Sequence, residues 1–177
     1  MHIINNSEVV TRILNDKKTC DFFEKIISEL TTNNKIIMAA NLLACDLIGL
    51  CTNDIKPYNN RVTTAFLIEL VNMCCDELIT MRTTKNVLCE CFRTGLSPMT
   101  IIKQKDLFTI IDEEKLNEIL NQIIDKNSNL FNQFINGNDK LQDALIGKAM
   151  SLTGGKIHVD KFKNLLQSKK KNNKQNI

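Results

Sequence analysis

The sequence has few of the residues that β-sheet, membrane and secreted proteins depend on. Its 177 residues include no tryptophan, one tyrosine, six glycines and two prolines. An all-β domain needs a turn about every eight to twelve residues, and so few turn-forming residues cannot supply them. No apolar run reaches the roughly 18 residues of a membrane-spanning helix. The first residues also lack the apolar core of a secretory signal. These absences predict an all-α protein without a membrane-spanning segment.

Cysteine is the exception, because seven are present. They are Cys20, Cys45, Cys51, Cys74, Cys75, Cys89 and Cys91. The neighbouring pairs are adjacent or one residue apart, whereas zinc knuckles place two residues between paired cysteines. Most lie in apolar helical segments, so we predict buried, reduced thiols and no metal. Reduced thiols indicate the bacterial cytoplasm, or the mitochondrial or plastid matrix in a eukaryote.

Charge is distributed unevenly along the chain, although the formal net charge is only +3. Residues 1–97 carry ten Lys or Arg and eleven Asp or Glu, whereas residues 98–177 carry thirteen and nine. From Leu145 onward there are eight lysines and a single aspartate. A basic segment of this kind suggests a polyanionic partner. A solvated lysine tail is the alternative explanation.

Helical periodicity predicts a first small helical subdomain over residues 1–96. Helices are expected to begin near Thr19 and near Asn33, and Pro57 marks a loop over 52–60. A long helix is expected over about 62–79. The next helix should be capped by Thr83 and end at Gly95, which suits a left-handed cap.

A second helical subdomain is predicted over residues 97–167. Ser97 followed by Pro98 is a strong helix-start signal. Further helices are expected over 99–105, from Asp112, over 128–135 and over 139–152. Thr153-Gly154-Gly155-Lys156 interrupts the chain before a last helix that contains Phe162 and Leu166. Residues 168–177 are polar and basic, and we expect them to be a disordered tail.

No catalytic motif is present. The two histidines, His2 and His158, have no plausible nucleophile beside them in sequence, and metalloprotease, serine-hydrolase and dinucleotide-binding patterns are missing. Because partners need only meet in space, a cysteine-dependent enzyme stays open as an alternative. We expect His158 to serve at the entry of the last helix. The chain by itself is predicted not to be an enzyme, and to need no cofactor.

Gly154-Gly155-Lys156 resembles a phosphate-binding loop only superficially, because it follows a helix and not a strand. A tight turn between two helices is the simpler interpretation, yet such a turn could also contact a phosphate through N–H groups exposed after Gly154. Four lysines lie in the predicted ordered structure: Lys148, Lys156, Lys161 and Lys163. No aromatic residue interleaves with them, which favours recognition of a folded RNA by its backbone and shape.

The C-terminal segment resembles a known family. Leu145-Ile146-Gly147-Lys148-Ala149-Met150, Thr153-Gly154-Gly155-Lys156 and Leu165-Leu166 are similar to the signature that ends the B subunit of glutamyl/aspartyl-tRNA amidotransferases and occurs in the related YqeY-like proteins. Ala39-Ala40-Asn41 and the pattern from Ser97-Pro98 to Asp112 also resemble elements of the B subunit. The resemblance runs from about Asp21 to Gln167. Its upstream part favours the amidotransferase over a stand-alone YqeY-like protein.

Some family positions are occupied differently here. Leu42 replaces the family's tryptophan, Lys148 a glutamine, Ser151 a lysine and Val159 a proline. Asn127-Ser128 stands where the family has Asn-Pro.

The resemblance implies a tRNA-binding function within a larger ligase. In this family the B subunit uses ATP and Mg²⁺ to activate misacylated Glu-tRNA(Gln) or Asp-tRNA(Asn), and then amidates it with ammonia from the A subunit. That chemistry belongs to an N-terminal cradle domain, which nothing here resembles.

The expected partners are therefore tRNA(Gln) or tRNA(Asn), and the A and C-type subunits through the rest of the B subunit. Neither DNA nor a membrane is expected as a partner. The resemblance assigns the second subdomain as a YqeY-like tail, and we expect tRNA contact at Lys148, Gly154, Gly155, Lys156, Lys161 and Lys163. The alternative is a stand-alone YqeY-like or helical module that docks another subunit.

Overall fold

The computed structural model describes residues 6–51 and 61–174. It is all-α, as predicted, and contains no β-strand among those residues. No described helix is both long enough and apolar enough to cross a membrane. The chain divides into two compact units, unit 1 (Met1–Leu107) and unit 2 (Phe108–Ile177). Each unit has its own apolar core.

Unit 1 is built from helices joined by short connections. They are α1 (Asn6–Leu14), α2 (Lys17–Ile27), α3 (Asn33–Asn41), a π-helical segment (Leu42–Leu47), α4 (Ile48–Leu50), α5 (Thr64–Cys75), α6 (Met81–Thr94) and α7 (Pro98–Gln104). The predicted loop over 52–60 lies outside the described residues. The π-helical segment and α5 supply the fully buried leucines at the centre of the core, among them Leu43, Leu47 and Leu70.

Polar side chains begin most of these helices by accepting a backbone hydrogen bond, as N-cap residues do. Asp16 caps α2 by accepting from the Thr19 N–H at 3.0 Å. Thr80 caps α6 by accepting from the Thr83 N–H at 3.2 Å. Thr19, near which a helix start was predicted, and Thr83, which was predicted as a cap, are therefore the third residues of their helices. At the other end of α6, Gly95 adopts the predicted left-handed conformation, with φ of 75°.

Helix α3, the π-helical segment and α4 follow one another without a break over residues 33–50, and the hydrogen bonding changes in the π-helical segment. In a π-helical turn each N–H reaches one residue further back than in an α-helix. The carbonyl of Ala44 accepts a hydrogen bond from the Arg12 guanidinium at 3.3 Å. Arg12 also pairs with Glu8 on its own helix at 3.0 Å. Arg12 therefore connects α1 to the π-helical segment.

Within residues 108–174, unit 2 contains four helices around a compact core. They are α8 (Glu113–Lys126), α9 (Ser128–Ile135), α10 (Leu141–Leu152) and α11 (Val159–Lys174). The segments that precede α8 and α11 form a single parallel bridge between Ile110 and Ile157. Asp112 caps α8 as predicted, accepting from the Lys115 N–H at 2.9 Å. Phe134 and Phe162 are the largest fully buried side chains of this unit.

The division between the units lies after Leu107, and not near Leu96 as the sequence suggested. Helix α7 was assigned to the second subdomain, but Ile101 and Ile102 are buried in the core of unit 1. Ser97 and Pro98 do begin a helix, with the Ser97 hydroxyl accepting from the Thr100 N–H. The start signal was therefore interpreted correctly as a helix start and wrongly as a domain boundary.

The expected disordered tail is also wrong for the described residues 168–174, because α11 continues to Lys174. Lys170 is buried, with a side chain only 10% exposed. Its ammonium group pairs with the Asp139 carboxylate and lies 4.7 Å from the centre of the Phe134 ring. The aliphatic stem of a lysine can bury apolar surface while its charge is satisfied. Lys170 therefore stabilises the last turns of the helix.

Deleting residues 168–177 should lower the free energy of unfolding of unit 2 by about 1–2 kcal/mol, because a cation–π contact and a buried lysine stem are lost. Lys170→Ala should reproduce most of this loss, whereas Lys171→Ala, at an exposed position of the same helix, should be nearly neutral. Urea unfolding followed by circular dichroism measures both. Equal effects of the two substitutions would contradict the role of Lys170.

Candidate nucleic-acid interface

The predicted site residues gather around the connection between α10 and α11. Six residues, 153–158, link the end of α10 to the start of α11. Because the link is short, both helix ends lie at the same end of unit 2. The Ile110–Ile157 bridge brings the start of α8 to this end as well. We call this end of unit 2, formed by the three helix termini, the junction.

Gly154 and Gly155 end α10 through a paired cap. The Gly155 N–H donates to the Met150 carbonyl at 2.7 Å, and the Gly154 N–H donates to the Ser151 carbonyl at 3.4 Å. This is the Schellman arrangement, which requires a left-handed residue directly after the helix. Gly154 has φ of 64° and Gly155 has φ of 89°. The expectation that N–H groups after Gly154 are open to a phosphate is thus wrong for the Gly155 N–H, because α10 already uses it.

Two glycines near this cap should respond to alanine in opposite ways. Gly154→Ala should destabilise unit 2 by about 1 kcal/mol, because a left-handed conformation is unfavourable for a residue with a Cβ. Gly147 lies inside α10, where an added Cβ meets nothing within 4 Å. Gly147→Ala should therefore stabilise the unit by roughly 0.5–1 kcal/mol. Thermal unfolding of both variants tests this, and a shift of the same sign for both would refute the capping role.

His158 begins α11, as expected for this histidine. Its Nδ1 accepts a hydrogen bond from the Lys161 N–H at 3.4 Å, and its carbonyl accepts from the Phe162 N–H at 3.0 Å. Its own N–H donates to the Ile110 carbonyl at 3.2 Å. Asp160 adds a carboxylate to the first turn. The N-terminus of α11 is thus already partly satisfied by its own chain.

The four predicted lysines all lie near the junction, on different faces. Lys148, Lys161 and Lys163 are exposed and form no ion pair with a described residue, and Lys156 is half-buried beside the bridge. Residues two positions apart on a helix point to different sides. Lys163 lies one turn from Gln167, whose side chain bonds to Gln142 of α10. Lys161 therefore projects from the other side of α11.

Carboxylates restrict which side of the junction a polyanion can approach. Asp112, Glu113 and Glu114 form the exposed first turn of α8 at this end. Acidic residues there complement the helix dipole and stabilise α8, but they repel phosphate. The junction is therefore acidic on the side of the start of α8.

Exposed apolar side chains also lie near the junction, and the sequence did not single them out. Ile111 is 52% exposed beside the bridge, and Leu152 is 45% exposed at the end of α10. Phe108 and Val159, 37% and 39% exposed, stand near the starts of α8 and α11. These residues lie at or beside helix ends, where helical periodicity does not assign an apolar residue to the core. Their position at helix ends is the sequence signal that could have identified them.

The prediction of buried thiols is correct for Cys91 and wrong for the other cysteines, since Cys75 is exposed and the rest are half-buried. No group of three or more His, Cys, Asp or Glu is placed to hold a metal within residues 6–51 and 61–174. Burial raises the pKa of the Cys91 thiol to about 12, and burial also raises the pKa values of Cys45 and Cys74. A raised thiol pKa lowers the thiolate population, which is the opposite of nucleophile activation.

Cys91 should therefore resist alkylation at pH 8 in the folded protein, whereas the exposed Cys75 reacts. Because burial favours the neutral Cys91 thiol, its contribution to stability is present below the ordinary thiol pKa of 9.0 and is lost as pH rises toward 12. Iodoacetamide labelling with peptide mass mapping measures the order of reaction. Rapid labelling of Cys91 in the native state would contradict its burial.

Comparison with known proteins supplies the family. The model of the GatB domain matches residues 21–169. The B subunit of aspartyl/glutamyl-tRNA(Asn/Gln) amidotransferase from Persephonella marina is 31% identical over 153 residues, 86% of this chain and 32% of the relative. The same protein of Orientia tsutsugamushi is 29% identical over 157 residues, 88% of this chain and 32% of the relative. That of Caldanaerobacter subterraneus is 31% identical over 156 residues, 88% of this chain and 32% of the relative.

The match includes the later part of α2 and nearly everything after it, whereas α1 lies outside it. The chain spans about a third of the length of the curated relatives, since each alignment covers 32% of the relative. An all-α fold, the helix-ending glycine pair and the matched segment agree with the resemblance stated from the sequence. This chain therefore belongs to the GatB/YqeY family and corresponds to the C-terminal region of the B subunit of aspartyl/glutamyl-tRNA(Asn/Gln) amidotransferase.

Proposed function

We propose that this chain binds tRNA and thereby positions misacylated Glu-tRNA(Gln) or Asp-tRNA(Asn) for ATP-dependent transamidation. The relatives are named as amidotransferase subunits that act on these tRNAs, and this chain corresponds to about a third of their length. The reaction would be catalysed by the cradle domain of a complete B subunit, with the A and C-type subunits as partners. ATP and Mg²⁺ would be needed there, and the proposal assigns no catalytic residue to this chain.

The observation that carries this proposal is the gathering of lysines at the junction. Lys148 on α10 and Lys161 on α11 are exposed and form no ion pair with a described residue. Lysine ammonium groups bind phosphate as point charges, and each phosphate contact releases counterions from the nucleic acid. Contacts of this kind fix the register of a folded RNA without reading its bases. This fits a domain that holds the body of a tRNA while chemistry occurs elsewhere.

Positioning is the physical contribution that such a domain can make. Binding energy gained at a part of the substrate far from the reacting group holds that group in place and reduces the entropy lost at the chemical step. Removal of the contacts should therefore weaken tRNA binding first. In an assembled enzyme it should raise KM for the charged tRNA without changing the chemistry of ammonia transfer.

The proposal is tested by filter binding of tRNA(Gln) to the wild-type chain and to Lys148→Gln/Lys161→Gln at about 0.1 M salt. Loss of two phosphate contacts should weaken binding roughly tenfold or more. Lys126→Gln/Lys140→Gln is the matched control, because it removes the same charge from exposed positions at the end of α8 and the start of α10. The control should bind within about twofold of wild type.

The outcomes separate tRNA contact at the junction from general charge attraction. Equal weakening of the two variants would mean that tRNA responds to the net charge of unit 2 and not to the junction. Absence of binding by a well-folded wild-type chain at low salt would contradict the proposal. Thermal unfolding of each variant excludes loss of structure as the cause.

A second candidate function is docking of another protein subunit, and the exposed apolar side chains at the junction favour it. Ile111 and Leu152 are large, about half exposed and at the same end of unit 2. Apolar residues at such positions commonly form the centre of protein interfaces. Ile111→Ser/Leu152→Ser should then abolish binding to purified A and C-type subunits while tRNA affinity is unchanged. Loss of tRNA affinity instead would assign these side chains to the RNA.

A further inference from the structure

A second cationic surface lies on unit 1, far along the sequence from the junction lysines. Helix α6 buries one side, which carries Thr83, Thr84, Val87, Leu88, Cys91 and Phe92. Its opposite side presents Arg82, Asn86, Cys89 and Arg93, at successive spacings of four, three and four residues. Positions with this spacing form one continuous stripe on a helix. We call these four residues the α6 stripe.

Two carboxylates near the α6 stripe are paired with lysines. Glu90 is 2.6 Å from the Lys105 ammonium group, and Asp46 is 3.0 Å from that of Lys85. Arg82 and Arg93 are exposed, and neither forms an ion pair with a described residue. No direct ion pair with a described carboxylate offsets the charge of either guanidinium group.

A third guanidinium group joins the stripe at its C-terminal end. Arg61 precedes α5, and its Nη1 donates to the backbone carbonyl of Arg93 at 3.5 Å. Arg61 is itself exposed. A cation at this position complements the negative end of the helix dipole, which explains why Arg61 and Arg93 are tolerated side by side.

The helix dipole does not favour a cation at the position of Arg82. Arg82 is the second residue of α6, where the helix dipole is positive and disfavours a cation. The first turn of α6 contains no acidic residue that could offset its charge. Its position is therefore unfavourable for the isolated helix, and an external anion would relieve this.

The geometry identifies the class of partner. Arg82 and Arg93 are eleven residues apart, or roughly 16 Å along the helix axis. This distance exceeds the size of a single phosphate, so a ligand that contacts both must carry repeated negative charge. Guanidinium groups bind phosphate oxygens in a bidentate manner. Between the arginines the stripe has Asn86 and Cys89 and no large apolar side chain, which argues against insertion into a lipid surface.

We propose that the α6 stripe, together with Arg61, is a second phosphate-binding face of this chain and that it binds an RNA backbone. The choice of RNA over another polyanion rests on the proposed function. The stripe is distinct in sequence and structural unit from the junction lysines, and it gives unit 1 its own contribution to affinity. Because the stripe offers no aromatic platform, it would contact the backbone of folded RNA and not stacked bases.

The test compares tRNA binding of the full chain with that of Arg82→Gln/Arg93→Gln over a series of salt concentrations. Loss of two phosphate contacts should weaken binding about tenfold near 0.1 M salt and reduce the slope of log affinity against log salt by between about one and two. Lys17→Gln/Lys25→Gln is the matched control, because these exposed α2 lysines carry the same charge in the same unit. The control should leave both quantities unchanged.

Arg82→Lys/Arg93→Lys is a second variant, which keeps the charge but removes the planar guanidinium groups that can bind a phosphate through two donors. It should restore most of the salt slope and only part of the affinity. An unchanged affinity of Arg82→Gln/Arg93→Gln, beside a weakened Lys148→Gln/Lys161→Gln, would overturn the α6 proposal and leave the proposed function intact. A wild-type chain that binds no tRNA would overturn the proposed function itself.

Two other polyanions serve as competitors in the same assay. Polyglutamate and phosphatidylglycerol vesicles present carboxylates and a lipid surface, respectively. Neither should displace tRNA at equal charge concentration if the stripe binds an RNA backbone. Binding to either one that depends on Arg82 and Arg93, with tRNA binding independent of them, would overturn the assignment to RNA.

Discussion

Phe162→Ala is expected to lower the free energy of unfolding of unit 2 by about 3–5 kcal/mol, the usual cost of removing a fully buried aromatic side chain. Phe162 is 0% exposed and lies in the first full turn of α11, packed in the core with Leu116, Leu145 and Leu166. Its loss leaves a cavity where α11 joins the other helices. Because marginal domains have only about 5–15 kcal/mol of stability, the junction should lose much of its order.

Phe108→Ala is the matched control within unit 2, because Phe108 is 37% exposed. It should cost about 1–2 kcal/mol, clearly less than Phe162→Ala, since more than a third of the Phe108 side chain is already in solvent. The chain has no tryptophan, so urea unfolding is best followed by circular dichroism. Hydrogen exchange then assigns the loss to unit 2, whose amides should lose protection while those of unit 1 keep it. Equal losses for both variants would contradict the described core.

Lys161→Glu is expected to weaken tRNA binding by roughly tenfold or more near 0.1 M salt, and Lys163→Glu to weaken it much less. The two lysines project from different sides of α11, so a rigid RNA surface cannot engage both equally. Asp160 stands three residues before Lys163, on the same face, and offsets its charge. The corresponding neighbours of Lys161 are His158 and Asn164, neither of which is acidic.

This comparison is internally controlled, because the two variants change the same charge on the same helix by the same amount. Filter binding with tRNA(Gln) gives both affinities in one experiment. A stronger effect at Lys163 would mean that the RNA contacts the side of α11 that carries Gln167 and faces α10. Equal effects would indicate attraction to net charge without a defined face.

Local signals in the sequence predicted much of the fold. Helix α9 was predicted as residues 128–135 and found over Ser128–Ile135. Asp112 and Ser97 were identified as helix starts and accept the expected N–H groups. Gly95 was identified as a left-handed cap and has that conformation. Each of these features is determined by four or five consecutive residues, so it can be recognised from the sequence alone.

Features that depend on distant residues were missed. The placement of α7 in unit 1 follows from burial of Ile101 and Ile102 against other helices, which no local pattern reveals. The last turns of α11 depend on contacts of Lys170 with Phe134 and Asp139, 36 and 31 positions away in the sequence. The π-helical segment and helix α1 were likewise not predicted. Each of these depends on tertiary packing.

The candidate site shows the same division. The sequence identified the lysines that gather at the junction, because they are concentrated after Leu145. It did not reveal that the N–H groups of Gly154 and Gly155 are used by α10, which requires the carbonyls of Met150 and Ser151 to be located. Nor did it single out the α6 stripe. Near Arg82 and Arg93 the sequence contains residues of both charges, and only the fold shows that Asp46 and Glu90 pair with lysines.

The most direct test of the account is the salt dependence of tRNA(Gln) binding by the unmodified chain. With four to six phosphate contacts from the junction and the α6 stripe, log affinity should fall linearly with log salt, with a slope of about −3 to −5. Such a slope would identify electrostatic contact with the RNA backbone as the source of affinity. An affinity that does not change with salt, or no binding at about 50 mM salt by the folded chain, would contradict tRNA binding as its function.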